Sequence, residues 1–235
     1  QATEVLDRTL EVACEKLGVK AIWSQMKQNA EQSALRANTD RGTYLLLKSL
    51  VRLKADIPDL QVHLVGHSAG AIILGHLLDD CTRNNLAIDS CTLFAAACTI
   101  EFANSQYVRA HNNGTLAKEN LTLYSLSDKN EKDDTVGPYQ KSLLYLISRA
   151  LEGAHKTPLL GMVKSFEQQS MQDSSWNSKL IREVQHWQDF WAGGRINVIN
   201  REQVCTAAVW EGERIAEEIS RTRSTHGSFD NDVQV

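Results

Sequence analysis

The five residues Gly66-His67-Ser68-Ala69-Gly70 form the pattern Gly-x-Ser-x-Gly and are the part of this sequence best suited to chemistry. A serine hydroxyl is a poor nucleophile until a base removes its proton, so the fold must hold it where a histidine can reach. A sharp strand-to-helix turn does this, and its crowded backbone favours glycine two residues before and after the serine. The pattern therefore predicts that Ser68 is a nucleophile.

Apolar runs on both sides of the pattern support this interpretation. Val62, Leu64 and Val65 precede it with the composition of a short buried strand. Residues 69–78 follow it as a helix that is apolar around most of its circumference, as expected for a helix packed on a sheet. The alternative interpretation is a glycine-rich turn in a buried βα unit whose serine is incidental.

A serine nucleophile needs a base and an orienting acid from elsewhere in the chain. Functional side chains of parallel sheets collect at the carboxyl ends of strands, and Asp128 comes directly after a predicted strand at 121–126. His226 lies in a Thr-His-Gly segment near the end of the sequence, after the last predicted helix. The chain thus presents Ser68, Asp128 and His226 in that order.

This order, with the serine on such a turn, resembles the α/β-hydrolase superfamily. The resemblance covers residues 60–130 well and the C-terminal tail more loosely. It implies that Ser68 is the nucleophile, that His226 is the general base and later the general acid, and that Asp128 orients the imidazole. It also implies that the backbone N–H of Ala69 is one donor of the oxyanion hole.

Other residues compete for two of these roles. Asp133 and Asp134 lie in the charged segment that follows Asp128, and either could replace it as the acid. His155, in a predicted loop after a helix, competes with His226 as the base. Both choices stay open at the level of the sequence.

The remaining histidines and the cysteines give no sign of a metal site. His67 precedes the nucleophile and points the wrong way to be its base, so we expect it to shape the turn and contact the substrate. His63, His76 and His186 fit structural roles. Because the chain has no HExxH motif and no cysteine pair at ligand spacing, we predict neither a metal nor a cofactor.

The predicted elements indicate an α/β fold, α/β-hydrolase-like, in which helices flank a mostly parallel sheet. Strands are predicted at 61–66, 90–99, 121–126 and 196–200, with an edge strand at 220–225. Helices are predicted at 1–17, 19–36, 42–55, 139–152, 175–191 and 203–219, and a charged loop at 129–138.

Only helices precede the first predicted strand, and this departs from the superfamily pattern. The upstream glycines, Gly18 and Gly42, lie in helical surroundings and offer no loop for a second oxyanion donor. We therefore expect a fragment that lacks the N-terminal strands of the fold. We expect one domain over 1–235, with a helical N-terminal segment at 1–59 and a candidate cap at 155–195, although the tryptophan stripe inside that cap is more typical of a core.

Composition and charge exclude several classes of protein. A net charge of −4 gives no electrostatic case for binding nucleic acid or anionic membranes. No apolar segment approaches the ~18 residues of a membrane span, and no secretory signal is visible. Five cysteines without CxxC spacing fit reduced thiols in a cytoplasmic protein.

Together these features predict a serine hydrolase that cleaves a carboxylic ester or related acyl bond of a small molecule through an acyl-enzyme. A thioesterase or acyltransferase would use the same residues with a different acceptor. The interpretation from another class is a non-catalytic interaction module, or an incomplete fragment, with the same fold.

Overall fold

Four parallel strands form the central sheet of the computed structural model, which describes residues 2–35, 40–206, 220–229 and 232. The strands are β1 (His63–His67), β2 (Ser90–Phe94), β3 (Leu121–Leu126) and β4 (Ile196–Ile199), and their order in the sheet is their order in the chain. Helices connect and flank them, which confirms the predicted α/β class and parallel sheet.

Nine α-helices surround this sheet in the described part of the chain. They are α1 (Ala2–Lys16), α2 (Val19–Ala34), α3 (Gly42–Asp56), α4 (Gly70–Arg83), α5 (Ile100–Ala103), α6 (Arg109–Asn112), α7 (Asp128–Asp133), α8 (Leu143–Leu146) and α9 (Ile181–Trp191). Asn104–Val108 and Ile147–Leu151 continue α5 and α8 as π-helix. The first three helices lie where helices are predicted at 1–17, 19–36 and 42–55, and Gly18, at φ +83°, makes the left-handed turn between α1 and α2.

Helix α4 and the sheet share one hydrophobic core. Leu77 and Leu78 on α4 are buried, as are Cys91 and Leu93 on β2. The alternating burial along β1 and β2 shows that one face of these strands is covered more fully than the other. This packing fixes α4 directly behind the turn that carries Ser68.

Two predicted boundaries are wrong around β2 and β3. Strand β2 ends at Phe94, because Ala95 has φ +44° and turns the chain out of the sheet direction. The predicted charged loop contains helix α7 instead, since the Ser127 hydroxyl accepts a hydrogen bond from the Asn130 N–H at 3.2 Å and caps the helix. The charges therefore lie on a short helix rather than on an open loop.

The C-terminal region also differs from its prediction. Strands β5 (Gln203–Thr206) and β6 (Ser220–Arg223) form a separate antiparallel sheet, so the predicted helix is wrong at its start, while 207–219 lies outside the described residues. Strand β6 has a polar sequence and pairs with β5 rather than with the central sheet. Helix α9 begins at Ile181 rather than at 175.

The region at 155–195 packs on the rest of the molecule through α9. Val184, Trp187 and Trp191 on this helix are buried, so its aromatic stripe belongs to the core. A cap formed by this region, and the single-domain boundaries, stay predictions. Within the described ranges, no strand precedes His63, and no helix is long and apolar enough to cross a membrane.

Candidate active site

Ser68 occupies the turn between β1 and α4 with φ +53°, a left-handed conformation that non-glycine residues rarely adopt. Its backbone N–H donates to the Phe94 carbonyl at 2.9 Å, and its own carbonyl accepts from the Ala97 N–H at 3.0 Å. These bonds tie the turn to the carboxyl end of β2. The strained conformation is thus held by the neighbouring strand, as strain at functional sites usually is.

The two glycines of the pattern have different roles. A Cβ on Gly66 would lie 2.8 Å from Leu74 Cδ1 and 3.3 Å from both Leu93 Cδ2 and the Gly70 carbonyl carbon, so a side chain here would displace that of Leu74. A Cβ on Gly70 would meet no neighbouring element within 4 Å. The predicted crowding is therefore present at Gly66 and absent at Gly70.

His226 brings its imidazole to the serine. Its Nε2 lies 2.9 Å from Ser68 Oγ, within hydrogen-bond distance. The histidine begins a short 3₁₀ turn, His226–Ser228, in which the Ser228 hydroxyl accepts from the Thr225 N–H at 3.1 Å. The structure therefore joins two of the predicted residues across a sequence separation of 158.

Burial sets the protonation of this histidine. Desolvation, with a smaller contribution from His67, lowers the pKa of His226 to about 4. The ring is therefore neutral at pH 7, and a neutral Nε2 that accepts the Ser68 hydroxyl places the ring proton on Nδ1. Nδ1 is buried and has no hydrogen-bond partner among the described residues. In this state His226 Nε2 can accept the serine proton, but no described residue accepts a hydrogen bond from Nδ1.

Asp134, at the end of α7, contacts His226, whereas Asp128 does not. Asp134 is buried, and its Oδ2 accepts the backbone N–H of His226 at 2.9 Å. The carboxylate of Asp128 instead binds the Tyr145 hydroxyl at 2.5 Å and Lys132 Nζ at 2.6 Å. Asp128 as the orienting acid stays a prediction, with no described contact to the base.

The third acid candidate and the second base candidate lie elsewhere. Asp133 is exposed at the end of α7. His155 Nδ1 lies 2.9 Å from the Arg149 carbonyl and 3.1 Å from Arg8 NH1, contacts that belong to the α1 side of the molecule. Of the two histidines, His226 is the one placed at Ser68.

His67 has a contact that the sequence did not predict. Its Nε2 lies 2.9 Å from the backbone carbonyl of His226, and since a carbonyl only accepts, this nitrogen donates. The two rings are 5.1 Å apart, and Phe229 lies 6.2 Å from His67. The predicted contact of His67 with substrate is untested, but the residue holds the backbone of the candidate base.

Ala69 lies where an oxyanion donor is needed. It directly precedes the first turn of α4, and its backbone N–H donates no hydrogen bond within the described part of the chain. A free N–H at a helix N-terminus favours negative charge. No group of three or more histidine, cysteine, aspartate or glutamate residues suited to a metal ion occurs among the residues that the structure describes.

Comparisons with protein-family models, with curated proteins and with solved structures found no match. The functional assignment therefore depends on the geometry of the site itself.

Proposed function

We propose that this protein is a serine hydrolase of the α/β-hydrolase type that cleaves carboxylic esters or related acyl bonds. The observation that carries the proposal is the 2.9 Å contact between Ser68 Oγ and His226 Nε2. It gains weight from the left-handed backbone of Ser68, which lies between a parallel strand and a helix as in a nucleophile elbow.

The reaction follows from this contact. Ser68 Oγ attacks the acyl carbon while its proton passes to His226 Nε2, and the Ala69 N–H donates to the oxygen that becomes negative. The imidazolium then gives the proton to the leaving alkoxide as its bond to the acyl carbon breaks. A water molecule, deprotonated by His226, then attacks the acyl carbon of the acyl-enzyme. The imidazolium returns this proton to Ser68 Oγ as the bond between Oγ and the acyl carbon breaks and the acid leaves.

Asp134 is the acid that the contacts favour in this scheme. Its buried carboxylate accepts the His226 backbone N–H at 2.9 Å and so fixes the loop that carries the base. Asp128, which leads α7 directly after β3, is the second candidate because of its position in the chain. Substitution of each distinguishes them, as described in the Discussion.

Labelling with a fluorophosphonate, which reacts with activated serines, tests the proposal. We expect one labelled serine in the wild-type chain, complete loss of label in Ser68→Ala and strong loss in His226→Ala. His155→Ala is the matched control and should label like the wild type. Folded wild-type protein that takes up no label would contradict the proposal and favour a non-catalytic module.

A further inference from the structure

A second site candidate is a polar cavity of about 200 Å³ between the π-helical turn after α8 and the segment that leads to α9. Its walls include three cations, Arg149, Lys156 and Lys164, and only one carboxylate, Asp173. Tyr145 and Ser175 add hydroxyl groups. Neither Ser68 nor His226 lines it, so it is separate from the candidate active site.

Lys156 carries a charge that no carboxylate balances. Its Nζ donates to the Ser174 carbonyl at 2.8 Å, and it has no ion-pair partner within the described ranges. Asp173, the carboxylate of the wall, is held by the Ser175 N–H at 2.9 Å and by the Ser175 hydroxyl. The ammonium of Lys156 is therefore available to an anion in the cavity.

Lys164 and Arg149 each lie near a carboxylate that already binds another cation. Lys164 Nζ lies 3.8 Å from Asp128 Oδ2, but Lys132 binds the same oxygen at 2.6 Å. Lys164 also lies 3.3 Å from the Ser175 hydroxyl.

Arg149 NH1 lies 3.6 Å from Glu11 Oε1, while Arg8 binds the other oxygen of Glu11 at 2.9 Å. The lining residues themselves carry three positive charges and one negative charge, which leaves an excess of positive charge at the cavity. Like charges that line one cavity repel each other unless an anion or water screens them.

The backbone of the wall is strained at two linked residues. Lys156 has φ +62° and Ser174 has φ +57°, and they are two of the five non-glycine residues with positive φ in the described chain. A non-glycine residue in this left-handed conformation is strained, and the hydrogen bond from Lys156 Nζ to the Ser174 carbonyl joins the two residues. The strained segments hold the lysine at the cavity, and strain of this kind is concentrated at ligand sites.

We propose that this cavity binds a phosphate group, either as the free anion or as a phosphate monoester. A guanidinium and two ammonium groups suit a tetrahedral oxyanion, since arginine donates in a fork and lysine acts as a point charge. Since a water molecule takes about 30 Å³ in the liquid, the volume admits a phosphate with several waters or with a small attached group. This site does not depend on the proposed hydrolase activity.

Calorimetric titration of the full chain with inorganic phosphate and with glycerol phosphate, in chloride buffer of constant ionic strength, tests the site. We expect saturable binding that weakens at least tenfold in Lys156→Gln and in Lys164→Gln. Lys129→Gln removes an exposed lysine that pairs with Glu202 and does not line the cavity, so it should bind like the wild type. Two separate lysine variants keep the test valid if one of them does not fold.

The two ligands identify the source of the phosphate. Tighter binding of glycerol phosphate supports a monoester ligand, and equal or tighter binding of inorganic phosphate supports the free anion. Absence of binding, or affinity unchanged in both folded lysine variants, would overturn the proposal. Fluorophosphonate labelling of Ser68 is a separate measurement, so either proposal can fail alone.

Discussion

At the level of single residues, the proposed chemistry depends on a histidine that burial keeps neutral. His226 contacts Ser68 through one ring nitrogen, and His67 and Asp134 hold its backbone through the carbonyl and the N–H. Both neighbours therefore act on the position of the peptide unit rather than on the ring nitrogens. Small changes at either residue should alter the reaction rate more than the binding of substrate.

The pH dependence of hydrolysis follows from the lowered pKa of His226. The base must be neutral, so activity is lost as the pH falls through its pKa, which lies at about 4 instead of the ordinary 6.5. We expect kcat/KM for an activated ester to hold its plateau below pH 6.5 and to decline only as the pH approaches 4. An acid limb at pH 6.5 or above in the measured profile would contradict this.

Substitution of His67 separates a positioning role from contact with substrate. His67→Phe removes the donor to the His226 carbonyl, and we expect kcat to fall about tenfold, a loss of about 1.4 kcal/mol of transition-state stabilisation, with KM little changed. His67→Gln retains an N–H donor and should restore most of the rate. A rise in KM at constant kcat would instead support the predicted contact with substrate.

At the level of elements, the bounds of α7 determine which aspartate contacts His226. The helix begins at Asp128, and that residue binds Tyr145 and Lys132 on its own side of the fold. The chain leaves the helix at Asp134, which turns inward to the His226 loop. The helix in the place of a predicted loop is therefore the reason that the later aspartate, not the first, lies at the site.

A matched pair of substitutions tests this assignment. Asp134→Ala removes the carboxylate that accepts the His226 N–H, and we expect kcat/KM to fall about tenfold because the base loses its position against Ser68. Asp128→Ala should reduce it less than threefold. Steady-state kinetics on an activated ester measures both, and the reverse order of effects would return the role to Asp128.

At the level of the whole molecule, the N-terminal helices are anchored to the α/β core by a buried polar contact. Glu152 is buried just after the π-helical turn, accepts Trp23 Nε1 at 2.7 Å and pairs with Lys27 Nζ at 2.7 Å. Both partners lie on α2. Loss of the carboxylate would leave a buried indole N–H and a partly buried ammonium without their acceptor.

Urea denaturation of Glu152→Ala measures this anchor. We expect the free energy of unfolding to fall by about 3 kcal/mol, since breaking a buried pair leaves its partners unsatisfied. Glu202→Ala removes the exposed pair with Lys129 and should leave the free energy of unfolding nearly unchanged, because solvent screens such a pair. Equal effects of the two substitutions would show that Glu152 does not anchor α2.

Features that depend on neighbouring residues could be predicted from the sequence. The three N-terminal helices, the four parallel strands and the turn at Ser68 follow from hydrophobic periodicity and from the crowding at Gly66, which act within a few residues. The helix α7 also depends on a local interaction, the Ser127 cap, but the run of charged residues led to the prediction of a loop. The candidate base was predicted from chain order alone.

Contacts between distant residues could not be predicted from the sequence and are set by the packing of the folded chain. The contact of His226 with Ser68, the backbone contacts of Asp134 and His67, and the cavity that contains Lys156 all join segments far apart in the chain. Such contacts depend on the path of each loop and on which side chains become buried away from water. No periodicity encodes these quantities, because they arise when the segments pack against one another.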